Sequence, residues 1–498
     1  MEVSHLPSQI GLADITAVPI AAPQRVDEIL QNIGAFGRYH VLILLLFALL
    51  ALPQALQGTV MFYAAHTPTW TCRKNSSRCA LIDDFSADNL ERCDFPRAAW
   101  NYTQGTDYSI VTEFGLDCNS AWLAQLPTSI FYLGAALGSI IIGWLCDNFG
   151  RRTILLPSIF FIQVLGVISA LAPRIEYLVA FRFLIGFGVP GAAMNMSVIL
   201  SELVVPKYRA FACACLFMLW PFGMGLMSLT AYLMPAWRTL LLITSCPLFV
   251  ALGLVFFTPE SFRWLIAMGR QEEALSLLRN IAHWNKKPFP KNVRLLTPKP
   301  ASDRSPKFLF SSWKTTSLTL IISAKFFTVA LVYYGIPMCS NDITDGSMYV
   351  NFTLTSLIEL PALLSCAFAM NRIGRKPTIF ASLLLTGGCC VFVGVAPSHW
   401  STARLIIGVL GRFMISLAFP GIWTWTSELY PTLIRSQGLG FGNILGMVGS
   451  TCMPWLVKST KQLHPATPFI AMGVLSVLVS CMLLILPETK GKHFSSDQ

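Results

Sequence analysis

Charge is what this chain has least of. Of its 498 residues only 12% are Asp, Glu, Lys or Arg while 54% are apolar, and the 36 Lys and Arg outnumber 25 acids to leave a net charge of +11. A mean hydropathy of +0.59 with so few charges excludes a soluble globular protein and points to a polytopic membrane protein. Other absences narrow the function. There is no G-x-x-x-x-G-K-[ST] loop, so ATP hydrolysis is not expected. No cysteine and histidine spacing fits a zinc site, and no nucleophile, base and third group stand together, so neither an enzyme nor a bound cofactor or metal is expected. Residues 1–38 hold no basic segment running directly into a cleavable apolar stretch, so the first apolar run reads as a retained span rather than a signal peptide.

What is there is a series of charge-poor runs near the ~20 residues a helix needs to cross ~30 Å of hydrocarbon. Twelve such runs lie at approximately 39–63, 122–146, 153–173, 177–200, 211–233, 237–257, 316–338, 348–370, 378–396, 402–427, 435–457 and 466–487. The expected fold is an all-α membrane protein of twelve transmembrane helices. Arg151, Arg152, Lys207, Arg209, Arg372, Arg375, Lys376, Arg435, Lys490 and Lys492 fall on one side of this map, as does the stretch 261–314 with eleven Lys and Arg against three acids. That side is expected to be cytoplasmic, with both termini. The positive balance is then a topology signal, and no nucleic-acid partner is expected. The divisions are a cytoplasmic segment 1–38, a first half 39–257 with an extracellular loop 64–121, a cytoplasmic linker 258–315, a second half 316–487 and a tail 488–498. Within the linker, Leu275, Leu278, Ile281 and Ala282 follow a helical period, so 269–284 reads as an amphipathic helix under the bundle.

The loop after the first span holds Cys72, Cys79, Cys93 and Cys118 with sequons at Asn75 and Asn101. Four cysteines beside glycosylation acceptors suit an oxidising exterior, and three disulfide connectivities remain open. Asn195 also begins a sequon, but within a span, and is expected to stay bare; Asn351 lies near a membrane edge.

The chain repeats itself. "CDNFGRR" around Asp147 returns as "MNRIGRK" around Asn371, 224 residues later; "SELVVPKYR" from Ser201 returns as "SELYPTLIR" from Ser427, 226 later; "RFLIGFGVPG" from Arg182 returns as "RFMISLAFPG" from Arg412, 230 later; and "PES" at Pro259 returns as "PET" at Pro487, 228 later. Four near-equal offsets mean two pseudo-symmetric six-span halves, an arrangement that places a substrate site between the halves and works by rocking one against the other. The repeated charges sit at the inner ends of spans. Asp147, Arg151, Glu202, Arg209 and Glu260 in the first half, and Arg375, Glu428 and Arg435 in the second, are candidates for ion pairs that close the inner mouth and break when it opens. Asn371 stands where the repeat had an aspartate, which predicts a weaker second lock. The competing explanation is that these are helix-end charges with no gating role.

The duplicated D-x-x-G-R-[RK] pattern resembles the major facilitator superfamily, and narrower stretches resemble its organic-ion branch, solute carrier family 22. These are "IGAFGRYH", the four-cysteine loop ending "SIVTEFGLDC", "FYLGAALGS", "PESFRWL", "LVYYG", "ELPA" and "TSELYPTLIR", together spanning about residues 26 to 490. The resemblance implies a major facilitator fold and a plasma-membrane carrier of small organic cations, anions or zwitterions, expected to work as a monomer. It also implies pocket aromatics at Phe222, Phe326, Tyr333 and Tyr334. At the span-eleven position where cation carriers of the family tend to hold aspartate, and anion or carnitine-like carriers arginine, this chain has Met447.

Ionisable groups deep in a span are functional candidates by default. Lys325 lies about 12 Å and Arg412 about 15 Å into their spans at ~1.5 Å per residue, and Glu359 is similarly central. Lys325 and Glu359 are expected to face one central cavity and select substrate charge. The alternative is a structural pair in which Lys325 or Arg412 neutralises Glu359. With the usual span-eleven charge absent and Lys325 unusual for the family, the reading leans to anions or zwitterions. A sugar-type porter and a non-transporting receptor of the same fold are the rivals.

Overall fold

The computed structural model describes residues 26–73, 93, 95–246, 253, 257–290, 295, 309–339, 347–430 and 434–490. Apolar sequence in a bilayer can satisfy its backbone only within itself, so each long run becomes a helix. Among the described residues ten helices are long and apolar enough to cross a membrane. They are spans one (Arg38–Ala64), two (Leu126–Phe149), three (Arg151–Ala170), four (Ile175–Leu203), five (Pro206–Phe217 continued by Leu219–Leu233), seven (Trp313–Met338), eight (Met348–Leu357 continued by Glu359–Arg372), nine (Arg375–Val395), ten (Ser401–Leu429) and twelve (Thr467–Met482, extended to Ile485). Span six is described only over Trp237–Ser245. Span eleven is the 27-residue helix Arg435–Lys461, whose Gln, Asn, Ser and Lys residues make it more polar than the rest. Prolines sit inside several of these helices, at Pro53, Pro190 and Pro420 among others, as bilayer-spanning helices tolerate.

The packing repeats as the sequence does. Spans one and five, two and four, three and four, three and six, and one and six pack together. Their counterparts seven and eleven, eight and ten, nine and ten, nine and twelve, and seven and twelve do the same. Small residues set the closest approaches: a side chain added at Gly134 or Gly138 of span two would collide with the backbone carbonyls of Phe183 and Phe187 in span four. The glycines of the duplicated motif have a conformational role. Gly150 and Gly374 turn the chain between spans at φ of 101° and 123°, values that a side chain rarely permits.

On the face opposite the inner motifs, Trp70–Cys72 pairs antiparallel with Trp100–Tyr102 to form a small hairpin, a local exception to the all-helical reading. A disulfide joins Cys93 to Cys118, and Cys72 is also disulfide-bonded; Cys79 and Asn75 lie outside the described residues. The loop is docked by Glu113, whose carboxylate accepts from Trp237 Nε1 at 2.7 Å and Arg238 Nε at 3.1 Å. Asn101 is exposed on the hairpin. Asn195 is buried, donating to the Gly191 carbonyl and the Cys146 sulfur, and Asn351 is buried as well. At the inner face the helix Gln271–Trp284 buries Leu275, Leu278, Ile281 and Ala282 against the first half, while most of the linker after it lies outside the described residues.

The two halves meet mainly through spans two and eleven and spans five and eight. Among the described residues, the ring contacts and side-chain hydrogen bonds that join them lie in the outer part of the bundle. Tyr63 stacks on Tyr349 with centroids 5.6 Å apart, Phe62 meets Phe352 at 5.9 Å, Trp122 meets Trp455 at 6.2 Å and Tyr132 meets Tyr334 at 4.8 Å. Ser228 Oγ donates to the Tyr349 carbonyl at 2.7 Å. No ion pair joins the halves at the inner face among the described residues. Among the described residues the halves are thus joined by an outer aromatic seam.

Candidate substrate-binding site

Among the described residues four charged side chains are buried within the spans: Arg182, Lys325, Glu359 and Arg412. The single acid belongs to a tight cluster. Arg412 Nη2 donates to Glu359 Oε2 at 2.8 Å, its Nε to the Thr355 carbonyl at 3.2 Å and its Nη1 to the Tyr333 carbonyl. Its guanidinium lies 4.0 Å from the Tyr333 ring centroid, and the Tyr333 hydroxyl donates to Glu359 Oε1 at 2.5 Å. Spans seven, eight and ten are thereby tied at one level, with both carboxylate oxygens occupied. Burying a charge without compensation costs several kcal/mol, which is why this acid and base are found together.

Lys325 is placed apart from them. Its ammonium, fully buried, donates to Thr426 Oγ1 at 2.9 Å and lies 4.9 Å from the Trp425 ring. Eight residues separate it from Tyr333, about 12 Å along the helix at ~1.5 Å per residue. Lys325 and Glu359 therefore sit at different levels of the bundle. The acid is neutralised by Arg412, because span ten brings a guanidinium that can hold a carboxylate and two carbonyls together, which an ammonium eight residues away cannot do. Among the described residues no carboxylate accompanies Lys325.

The residue that sequence reasoning missed is Arg182. It is the repeat counterpart of Arg412, and the signal was present in the matched "RFLIG" and "RFMIS". Its surroundings differ: Nη2 donates to the Gln57 carbonyl at 2.9 Å and Nη1 to the Gln57 side-chain oxygen at 3.3 Å, with the guanidinium 4.7 Å from the Phe131 ring. A neutral amide stands where the second half has a carboxylate.

The aromatic candidates divide. Tyr334 contacts Tyr132 of the first half and, at 5.0 Å, Tyr333. Met447 packs on the core of the first half although it belongs to the second, so both stand at the seam. Phe326 is buried within the second half, edge-on to Trp423 at 5.2 Å. Phe222 is half-exposed, three residues before Gly225, which faces Leu357 of span eight, and so points toward the other half.

Among the described residues no inner ion pair bridges the halves. Arg151 pairs with Asp147 at 3.1 Å and Glu202 at 3.7 Å, and Arg375 with Glu428 at 3.0 Å, each within its own half. The expected lock between halves is thus a staple inside each half in this arrangement. In the second half, with Asn371 in place of an aspartate, Arg375 directs both Nε and Nη2 onto Glu428 at 3.0–3.2 Å. Arg209 donates from Nε to the Ser201 carbonyl at 2.9 Å, and neither it nor Arg435 forms an ion pair among the described residues. Glu260 serves as a cap, accepting from the backbone N–H of Arg151 at 3.0 Å and Arg152 at 3.2 Å. Glu488, unremarked in the sequence although its "PET" repeats "PES", accepts in the same way from Arg375 at 3.1 Å and Lys376 at 2.9 Å.

Residues 47–497 match the family described as "Sugar (and other) transporter". The chain is 31% identical to Organic anion transporter 3 of Homo sapiens, covering 93% of this chain and 91% of that protein. It is 30% identical to solute carrier family 22 member 3 of Rattus norvegicus, covering 93% of each. In structure it is similar to the xylose transporter XylE from E. coli in a partially occluded inward open conformation, with a TM-score of 0.61 at 18% identity over 91% of this chain and 99% of that one, a likeness that carries the major facilitator fold. Duplicated halves, inner-end motifs and these relatives lead to one conclusion: the chain belongs to the sugar (and other) transporter family of the major facilitator superfamily and, within it, to the organic-ion branch, solute carrier family 22, and is a secondary transporter rather than an enzyme.

Proposed function

We propose that the protein carries small organic anions or zwitterions across the plasma membrane by alternating access, as a monomer, with both termini in the cytoplasm and Asn101 on the glycosylated exterior. The observation that supports the charge preference is the sign of the buried charge: among the described residues three cations, Lys325, Arg412 and Arg182, stand against one acid, Glu359, and that acid is held by Arg412 and Tyr333. Two buried positive charges are left to polar and aromatic partners. A negatively charged group on the substrate supplies the missing compensation, so the interior favours anions over cations of the same shape. Tyr334, Phe222 and Met447 offer apolar and aromatic surface to the substrate body, with Phe326 packed behind them in the second half, and the half-bundle staples around Arg151 and Arg375 keep each half rigid while it rocks. The name of the 31%-identical human relative agrees with this preference. Uptake into proteoliposomes of labelled anionic, zwitterionic and cationic probes, with labelled glucose alongside, tests it. Saturable anion or zwitterion uptake is expected. Cation-only or glucose-only uptake overturns the charge preference, and no uptake of any probe favours a receptor that kept the fold.

A further inference from the structure

At the inner end of span one, three segments of the first half converge and bring four cations to one corner. Arg38 opens the span on the stripe that Leu42, Leu45 and Leu49 continue at helical spacing, all of them exposed, so it stands at the foot of a lipid-facing helix face. Phe36, just before it, packs on Tyr208 at 5.7 Å and Phe211 at 5.8 Å at the start of span five, and the Lys207 ammonium lies 5.5 Å from the Tyr208 ring. From the other side Asn285 fastens the end of the linker helix to the same place. Its Nδ2 donates to the Ile33 carbonyl at 3.0 Å and its Oδ1 accepts from the backbone N–H of Tyr39 at 3.0 Å, which brings Lys286 and Lys287 beside Arg38.

The linker helix ends on Lys286 at φ 54°, a left-handed position where glycine is usual, and the Lys287 N–H closes it on the Ala282 carbonyl at 2.9 Å. A lysine held there at a conformational cost points to a use for its side chain. Arg38, Lys207, Lys286 and Lys287 are all exposed, and among the described residues none of them pairs with a carboxylate. On the adjoining helices Val26–Asn32 and Gln271–Trp284, Asp27 is taken by Arg263 and Glu273 by Arg270, which leaves Glu28 and Glu272 against four cations. A topology signal needs the charge but not this convergence, nor the exposed rings of Phe211 and Trp284 beside it, aromatics of the kind that sit where headgroups meet hydrocarbon.

We infer that this corner binds an anionic phospholipid, with its phosphorylated headgroup on Arg38, Lys207, Lys286 and Lys287 and its acyl chains along the stripe of Leu42 and Leu45. Basic clusters at the foot of a span hold such headgroups through charge-assisted hydrogen bonds. The stripe selects a lipid over a free phosphate, because only a lipid covers both the charged and the apolar surface. Held by span one, span five and the linker together, the headgroup fastens the linker to the first half.

Titrating a fluorescent phosphatidylinositol bisphosphate into the purified full chain in detergent tests the inference. Saturable binding is expected, displaced by the unlabelled lipid and not by phosphatidylcholine. Lys286→Gln with Lys287→Gln should weaken it roughly tenfold or more, while Lys286→Arg with Lys287→Arg retains it and Lys314→Gln with Arg372→Gln, the same charge removed from the second half, changes it less than about twofold. A second measurement needs no variant to fold: in the wild type the bound lipid should slow acetylation of Lys286 and Lys287 several-fold. Equal loss in the two glutamine pairs, no protection of the lysines, or displacement by the free inositol phosphate headgroup as effective as by the lipid overturns the site.

Discussion

At the scale of single residues, Glu359 and Lys325 differ in what their loss does. Glu359 compensates a buried guanidinium, so Glu359→Gln leaves Arg412 charged and unpaired, which costs about 3–5 kcal/mol. A large fall in the thermal unfolding midpoint in detergent is the expected outcome, with most of it recovered when Glu359→Leu is combined with Arg412→Met. A Glu359→Gln protein that melts with the wild type would remove the structural role of the pair. Lys325 compensates nothing: its partner is the Thr426 hydroxyl, so Lys325→Ala should fold and reach the surface. Its anion uptake should fall roughly tenfold, the factor that loss of about 1.4 kcal/mol of interaction gives. Uptake unchanged at equal surface amount would show that the buried ammonium does not read the substrate.

At the scale of elements, an acid from the end of each half caps the helix that begins span three or span nine. Anionic groups at helix N-termini stabilise by satisfying free N–H groups and by opposing the helix dipole, by about 1 kcal/mol. For Glu488, burial pushes the carboxyl up, but backbone N–H donors from Lys490, Arg375, Lys376 and Thr489 together outweigh it and hold the group below its usual value. The folded value is the lower one, so the unfolded chain takes up the proton first. The stabilisation is therefore present above the unfolded glutamate value near ~4.3 and is lost as pH falls through the folded one. Comparing the melting of wild type and Glu488→Gln at about pH 7 and about pH 3 should show a gap at the higher pH that narrows at the lower. A gap independent of pH would assign the effect to something other than the carboxylate.

At the scale of the whole molecule, the decisive feature is that, among the described residues, the halves touch through an outer aromatic seam while the inner ion pairs lie within each half. Linking Tyr63→Cys to Tyr349→Cys with a short bifunctional thiol reagent should hold the seam shut and stop transport, and reduction should restore it. A cysteine at an inner position such as Glu428→Cys should react from the inner side of the linked protein as readily as before linking. Transport that survives linking would show that the seam is not the outer gate.

Spans, duplication and inner-end motifs were legible in the linear sequence because a bilayer makes local pattern sufficient. Each helix satisfies its own backbone, and its length and flanking charges answer to the membrane rather than to a distant partner. The matched offsets ran through Arg182, Glu260 and Glu488, but only Glu260 stood out as a candidate before their contacts were visible. What the sequence could not decide was pairing: that Glu359 belongs to Arg412 and not Lys325, that Gln57 attends Arg182, and that Arg151 and Arg375 stay within their halves. These depend on the rotation and tilt of helices drawn from distant parts of the chain, which residue spacing does not encode. The outer seam is likewise a property of how two finished halves rest against each other, decided by the tertiary contacts of Tyr63, Tyr132, Tyr334 and Tyr349 and by no single segment.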